Sequence, residues 1–589
     1  MNKHFQKLLI TTALHETWGR EEEIIFLGEW CKKYGKEDLL SHRKHSTYEY
    51  HLQDRKKLAN DHEYLSALYE NLLTFFASSL NNFHKIDKPL RYWRIIFGPW
   101  LLTYLPLMHD RWSSLSKLAT LDEDIKTFIC EDLNYDRCPN DFKNSNEFFM
   151  QDSWNYLIFS EMLHYIDHPK IKLIKLSNDF INLEKDIPIT SIGFKSKFFQ
   201  KIKLLLDMIA RFINYAFFKK SKNLFIFHSY FPKSFLFKLC IRLGFLPRSY
   251  MEFNNEIKYV DELNRANINT AFEAMNDFER FVSSTIIKDI PKAYLENYKD
   301  LYQRQINFTN ANLILTANAH FGGELFKVWA AEQIMRGSRL IISAHGGAFY
   351  PKFSVFNHQE KISDIRIVWG KQWLDGQKRL PPNKLSFKVN KIKIDGEVSI
   401  VAYDHWRYTS RCVSSPRSSL VLDCHDQLNQ LLLSLPNLIF QNTKVRFKVF
   451  NGTHDAIQRL KDDFSNKIIS KRTSMNDLLS NSRIVICTYP QTAFSEAMFS
   501  GVPTVMLYIE EYWEVESIYD ELIEALKMAN IIHTDPSKAA NHIQDIYHDP
   551  LRWWNSYEVT KARKKFHDIC LTESSDPLRD WQLFLSNVI

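Results

Sequence analysis

The chain has 589 residues, too many for one hydrophobic core, so two or more domains are expected. With 45% hydrophobic and 25% charged residues it is globular rather than disordered or fibrous. A net charge of +7 is small for this length and does not call for nucleic acid as a partner. In chain order, Met1–Leu14 lacks the sustained apolar core of a secretory signal, so a soluble, cytoplasmic protein is expected. Glu23–Leu27 (EIIFL) reads as a buried parallel strand, with Gly28-Glu29-Trp30-Cys31 at its carboxyl end. From about residue 38 to 222 helical periodicity takes over, and this stretch is expected to be a long helical insertion in the first α/β domain. Its longest apolar run, Ile95–Met108, is broken by Gly98, Pro99 and Pro106 and is too short to span a bilayer. Lys195–Lys222 is amphipathic and basic. It fits a core helix with solvated lysines, or peripheral contact with an anionic inner-membrane surface.

Alternating strands and helices follow. Leu224–Phe227 leads into His228-Ser229-Tyr230, Leu313–Thr316 into Asn318-Ala319-His320 and the helix Glu324–Met335, and Leu340–Ser343 into His345-Gly346-Gly347. Ile365–Trp369 is a further strand, and the lysine-rich stretch 377–393 is the best domain boundary. A second α/β unit spans 394–548, with strands at Val398–Tyr403 and Val445–Phe450, a helix at Asp423–Leu435 and a βαβ unit over Ile484–Leu507. The segment 549–589 reads as a helical tail packing back on the first domain, residues 1–376. This rhythm predicts an α/β protein of two Rossmann-like domains with parallel sheets and right-handed crossovers.

Ligands of open α/β sheets lie at the carboxyl ends of strands, so the polar residues there are the candidates. In the first half these are Glu29, His228, Ser229, Asn318, His320 and His345. In the second they are Asp404, His405, Arg407, Asn451, His454, Thr488, Gln491, Thr492 and Ser495. Glu29, His320 and His345 are candidates for proton transfer. Gly346 and Gly347 allow close backbone approach, and Gly28 stands beside Glu29. Asp404 and Arg407 are candidate contacts to a nucleotide or anion, Arg407 through a bidentate fork. Thr488, Gln491, Thr492, Ser495 and Glu496 surround the start of a helix, where unpaired N–H groups and the helix dipole suit phosphate.

No GxGxxG, GxxxxGK[ST] or HExxH pattern occurs, and the eight scattered cysteines contain no CxxC. Asp122-Glu123-Asp124 has no apolar strand before it, and Asp423-Cys424-His425-Asp426 spreads over several faces of a helix. No metal site is therefore expected.

Taken in order, several motifs form a recognisable series: Phe26-Leu27-Gly28-Glu29-Trp30-Cys31, Tyr92-Trp93-Arg94 with Gly98-Pro99-Trp100, His345-Gly346-Gly347, and Tyr489-Pro490-Gln491-Thr492 with Ser495-Glu496-Ala497. They resemble a transferase family of bacterial O-antigen and surface-polysaccharide gene clusters. The segment from Ser495 through Gly501-Val502-Pro503 is similar to the donor side of glycosyltransferases of the two-Rossmann GT-B type. The chain is also distantly similar to retaining transferases that use CMP-activated keto-sugars, but it has Tyr489-Pro490 where those carry His-Pro. The resemblance implies a metal-independent glycosyltransferase with no cofactor. Its donor would be a nucleotide-activated sugar and its acceptor a glycan or lipid-linked glycan of O-antigen or lipopolysaccharide biosynthesis. Two other readings stay open: a CDP-polyol phosphotransferase of teichoic-acid type, and a non-catalytic nucleotide-binding scaffold.

Overall fold

A computed structural model describes residues 7–588 apart from 20–22, 37, 39, 121, 131–136, 177–207, 211, 215–223, 248–259, 307–309, 385–388, 390–391, 449–450, 466–467 and 473. The basic segment Lys195–Lys222 lies almost wholly outside the described residues.

The protein is mixed α/β, and among the described residues its strands form three five-stranded parallel sheets. The first contains β1 (Lys7–Ile10), β2 (Glu23–Phe26), β3 (His45–Thr47), β4 (Ile125–Ile129) and β5 (Ile171–Lys175), in the order β3-β2-β1-β4-β5. The second contains β6 (Leu224–Phe227), β7 (Leu313–Thr316), β8 (Arg339–Ser343), β9 (Ile365–Val368) and β10 (Gln377–Arg379), in sequential spatial order. The third contains β11 (Glu397–Ala402), β12 (Thr443–Phe447), β13 (Ser482–Cys487), β14 (Thr504–Leu507) and β15 (Ile532–His533), in the order β12-β11-β13-β14-β15. The central strands are continuous apolar runs because helices cover both faces of such a sheet.

The expectation of a long helical insertion over 38–222 is corrected in part, because β3, β4 and β5 lie among its helices. Their signal is weak for a physical reason. β3 has three residues with two exposed, and β4 alternates buried with half-buried positions. Between them stand α1 (Arg55–His84), α2 (Leu90–Ile96) and α3 (Gly98–Ser116), whose periodicity dominates the stretch. The Asp54 side chain caps α1 by accepting from the amides of Lys56 and Lys57. α2 and α3 bury Tyr92, Trp93, Trp100 and Tyr104 completely. Gly98 is needed at the end of that block, since a Cβ there would lie 2.7 Å from the Tyr69 hydroxyl. The remaining helices used below are α4 (Asp152–Ile166), α5 (Lys233–Arg242), α6 (Glu324–Met335), α7 (Leu420–Ser434), α8 (Thr492–Ser500), α9 (Asp520–Met528) and α10 (Pro577–Val588). α10 returns to the second sheet, where Trp581 is fully buried and donates to the Pro381 carbonyl at 3.0 Å. Among the described residues no helix is long and apolar enough to cross a membrane.

The helical block meets the segment between β8 and β9 at a buried imidazole, and carries two more of its own. His358 is fully buried beside Tyr69, and burial, then Arg94 and Lys327, push its pKa down to about 3. Burial likewise brings His109 and His84 down to about 4. These rings are neutral in the fold, whereas an unfolded imidazole titrates near 6.5. Above that pH they carry no penalty. As pH falls from about 6.5 toward 3–4 the unfolded chain takes up the protons, and each ring costs about 1.4 kcal/mol per pH unit. The melting temperature is expected to fall steadily from pH 7 to pH 4, with a shallower slope in His358→Gln.

Candidate functional site

The spatial order of strands reverses next to β1 in the first sheet and next to β11 in the third, and the crevice at such a reversal is where ligands of open α/β sheets bind. In the third sheet β11 lies between β12 and β13. The Thr488 hydroxyl accepts the Tyr403 amide at 2.8 Å and so ties the ends of β11 and β13 together. A long loop, residues 403–419, then runs from β11 to α7. Tyr403 packs against Tyr489 and Trp513, with ring centroids 5.5 and 5.3 Å away.

That loop carries three arginines with two different fates. Arg407 is buried and faces the first sheet. It donates to Asp152 Oδ2 at 2.9 Å and to the Trp30 carbonyl at 2.5 Å. Tyr408 and Lys33 also reach Asp152, at 2.7 and 3.0 Å. Burial would raise the Asp152 carboxyl, but Arg407 and Lys33 outweigh it and hold the pKa at about 2. The reading of Arg407 as a bidentate anion contact is thus corrected, because its guanidinium is already neutralised as a link between the first and third sheets.

Arg411 and Arg417 have no carboxylate partner among the described residues. Burial, then the neighbouring Arg417, pull Arg411 down to about 10. Arg417 lies against the His405 ring, and its Nε atom is buried without a hydrogen-bond partner. His405 is pushed well below the usual imidazole value by burial, Arg417 and Arg411. α7 begins just beyond, and its N-cap residue Ser419 makes no side-chain cap. The hydroxyls of Ser418 and Ser419 are buried and unpartnered. Like charges held together, free hydroxyls and a helix N-terminus make a cradle whose chemistry favours an anion. Reasoning from the sequence missed Arg411 and Arg417. The available signal was the run Arg407–Leu420 (RYTSRCVSSPRSSL), with arginines and hydroxyl residues crowded ahead of a helix.

The second sheet presents His345-Gly346-Gly347 to the start of α8. The Gly347 amide donates to the Thr492 hydroxyl at 2.9 Å, and the Ser495 hydroxyl donates to the Gly347 carbonyl at 2.8 Å. Thr492 and Ser495, read as phosphate ligands, are thus engaged in holding two loops together. Gly347 has φ +103°, open to glycine alone at low cost, and a Cβ on Gly346 would come within 2.2 Å of the Thr492 hydroxyl oxygen. Gly346→Ala is expected to pry the two loops apart. The check is a lower melting temperature together with loss of amide-exchange protection around Gly347.

His345 stacks on Tyr230 at 5.4 Å, and burial, then Arg366 and Lys384, lower its pKa to about 4. Arg411 adds to that lowering, which places the ring within electrostatic reach of the cradle. Lys384 also pairs with Glu496 at 2.9 Å. Gln491 is exposed at the N-cap of α8 and makes no side-chain cap. Asp404 is nearly buried and accepts the His405 amide at 2.9 Å.

Other candidates lie elsewhere. His320 is 1% exposed, with both ring nitrogens unpartnered and its ring 6.4 Å from His358, so it sits under the loop rather than at its mouth. Glu29 stands at the carboxyl end of β2 and pairs with Lys32 at 2.9 Å, in a different sheet from His345. Gly28 serves packing, since a Cβ would lie 2.1 Å from the Trp30 ring. Asn318 donates to the Tyr230 hydroxyl at 3.3 Å, and His454 contacts the Ser418 carbonyl at 3.0 Å.

Residues 7–585 match the LIC12162 family transferases. Among solved structures the chain is similar to S. aureus MnaA with UDP, at 11% identity and TM-score 0.32, covering 52% of this chain and 87% of that one. It is also similar to Anabaena HepE in complex with UDP and glucose, at 12% identity and TM-score 0.32, covering 62% and 98%. A mutant of the Thermobaculum terrenum O-GlcNAc transferase is similar at 12% identity and TM-score 0.24, covering 54% and 58%. No curated protein matches the chain.

Proposed function

The chain belongs to the LIC12162 family of transferases, and from that premise we propose that it moves a sugar from a nucleoside-diphosphate donor to a hydroxyl of a surface-polysaccharide acceptor of the O-antigen kind. The observation that carries this reading is the Arg411–Arg417 pair, two cations with no carboxylate between them at the mouth of β11 and the start of α7. A diphosphate supplies the charge that the pair lacks. The guanidinium forks and the α7 N-terminus then stabilise the departing phosphate as charge develops on it, a task that a divalent cation performs in other transferases.

His345 is the candidate base. In the step, the acceptor oxygen bonds to the anomeric carbon and the bond from that carbon to the phosphate oxygen breaks. The electron pair leaves with the nucleoside diphosphate, and the acceptor proton passes to the imidazole. Burial, then the cations around it, hold His345 unprotonated, and a bound diphosphate would offset the cations' field and raise its basicity. Glu29 is engaged by Lys32 and His320 is buried at 1% exposure, which favours His345 over either of them for that role.

The test is thermal denaturation with UDP, GDP, CDP, CMP and dTDP, each with and without EDTA. A ligand of the native state at a hundred times its Kd stabilises by about 2.7 kcal/mol. One nucleotide raising the melting temperature regardless of EDTA is the expected result. No shift with any of them would remove the donor site.

A further inference from the structure

Beside the cradle lies a cavity of about 430 Å³ that none of the roles above uses. We propose that it is the acceptor subsite, and that its ligand is an uncharged saccharide. The inference rests on the transferase reading above and adds the place and chemistry of the second substrate.

Three parts of the chain build the cavity. Ala59, Arg55 and Lys56 come from α1, Lys352 and Phe353 from the loop after β8, Tyr508 and Trp513 from the segment between β14 and α9, and Asp520 from the first residue of α9. A strap joins two of these parts. Pro351 and Val515 form an antiparallel bridge, flanked by Lys352 N–H to the Glu514 carbonyl at 2.9 Å and Glu516 N–H to the Tyr350 carbonyl at 3.1 Å. Arg55 clamps Glu514 from the third side with two bonds, of 2.6 and 2.7 Å. The cavity is thus a product of the assembled molecule, and its walls are held rather than loosely apposed.

The lining chemistry selects the ligand. Arg55 and Glu514 neutralise each other, and Glu510 is paired with Lys527 at 2.9 Å. What remains is Lys56 and Lys352 against Asp520, with the aromatic rings of Phe353, Tyr508 and Trp513. The indole N–H of Trp513 is buried and has no partner, although the residue is only 5% exposed. Mixed donors and acceptors beside aromatic faces suit a ring whose hydroxyls both donate and accept, and they suit a diphosphate poorly. The volume falls in the range of small-molecule sites.

Position makes the saccharide an acceptor. Trp513 stacks on Tyr489 at 6.4 Å and touches Tyr403, the residue at the mouth of β11. The cavity is therefore one aromatic layer from the anion cradle, so an acceptor lying in it could extend a hydroxyl toward a donor whose phosphates occupy Arg411 and Arg417.

The experiment is saturation-transfer difference NMR on the full chain with free glucose, galactose, mannose and N-acetylglucosamine at millimolar concentration. It is run on the native protein and on Ala59→Trp and Asp520→Asn, with UDP and UDP-glucose thermal shifts recorded on each. Saturation is expected to reach at least one sugar in the native chain, to fall at least fivefold in both variants, and to leave the nucleotide shifts unchanged. No transfer to any of the four sugars, or transfer indifferent to both substitutions, overturns the proposal. A UDP-glucose shift that falls in Ala59→Trp while the UDP shift persists would place the donor's sugar in the cavity and overturn the acceptor assignment. Sugar binding without any nucleotide shift would instead remove the donor reading and leave a saccharide site standing.

Discussion

Replacing Arg411 and Arg417 together by alanine is expected to weaken nucleotide binding severely and, against the usual direction for alanine substitutions, to raise the melting temperature of the unliganded protein. The two effects have one cause. In the free protein the pair is a local cost, because burial and mutual repulsion already pull Arg411 down to about 10. Removing the charges relieves that repulsion, and since no carboxylate stands opposite them, none is left stranded. In the complex the same guanidiniums meet phosphate oxygens, and a hydrogen bond to a charged group contributes about 1.5–3 kcal/mol. Loss of one such bond from each arginine weakens binding by about a hundredfold or more. Arg417→Lys keeps the charge without the planar fork and should fall between wild type and the double variant. Calorimetric titration with the nucleotide found by thermal shift, alongside unliganded melting curves, reads both halves. A double variant that melts lower and binds normally would show the pair to be structural.

Much of this site could be read along the chain, but only where local chemistry and tertiary role coincide. β11, β13 and β14 are buried on both faces, so their apolar runs stand out whatever surrounds them. The His345-Gly346-Gly347 loop is legible because a backbone that must approach another loop cannot tolerate a Cβ at Gly346. In the first sheet β2 was legible for the same reason, whereas β3 and β5 carry exposed and half-buried positions that imitate loops. The fate of the arginines was not legible for a different reason. Arg407, Arg411 and Arg417 share a loop and a residue type, and only Asp152, 255 positions away from Arg407, separates the neutralised one from the other two. Thr492 and Ser495 carry the same lesson. A hydroxyl at a helix start suits a phosphate or a neighbouring carbonyl equally, and the second sheet supplies Gly347 first.

That distant carboxylate sets the largest stability effect. Arg407→Ala is expected to cost about 3–5 kcal/mol, the range for breaking a buried ion pair by removing one member. Asp152 is 1% exposed and would keep only Lys33 and the Tyr408 hydroxyl, while the Trp30 carbonyl would lose its donor. The damage is directional, because Arg407 joins the loop after β11 to the first sheet. Unfolding should therefore split into separate transitions rather than shift as one, since several cores cease to report on each other. The acid limb gives a second readout with a definite sign. A carboxyl held at about 2, against about 3.9 in the unfolded chain, contributes stability that is complete above the unfolded value and is lost as pH falls toward 2. Without Arg407 burial gains weight over the remaining cation, the Asp152 pKa rises, and acid unfolding begins at a higher pH. Arg407→Met combined with Asp152→Leu should recover most of the loss, because two apolar groups leave no unpaired charge behind. Scanning calorimetry across pH 3–7 on the single and double variants decides it. An Arg407→Ala protein that melts within a degree of wild type, in one transition, would mean that the Arg407–Asp152 pair is not what holds the first and third sheets together.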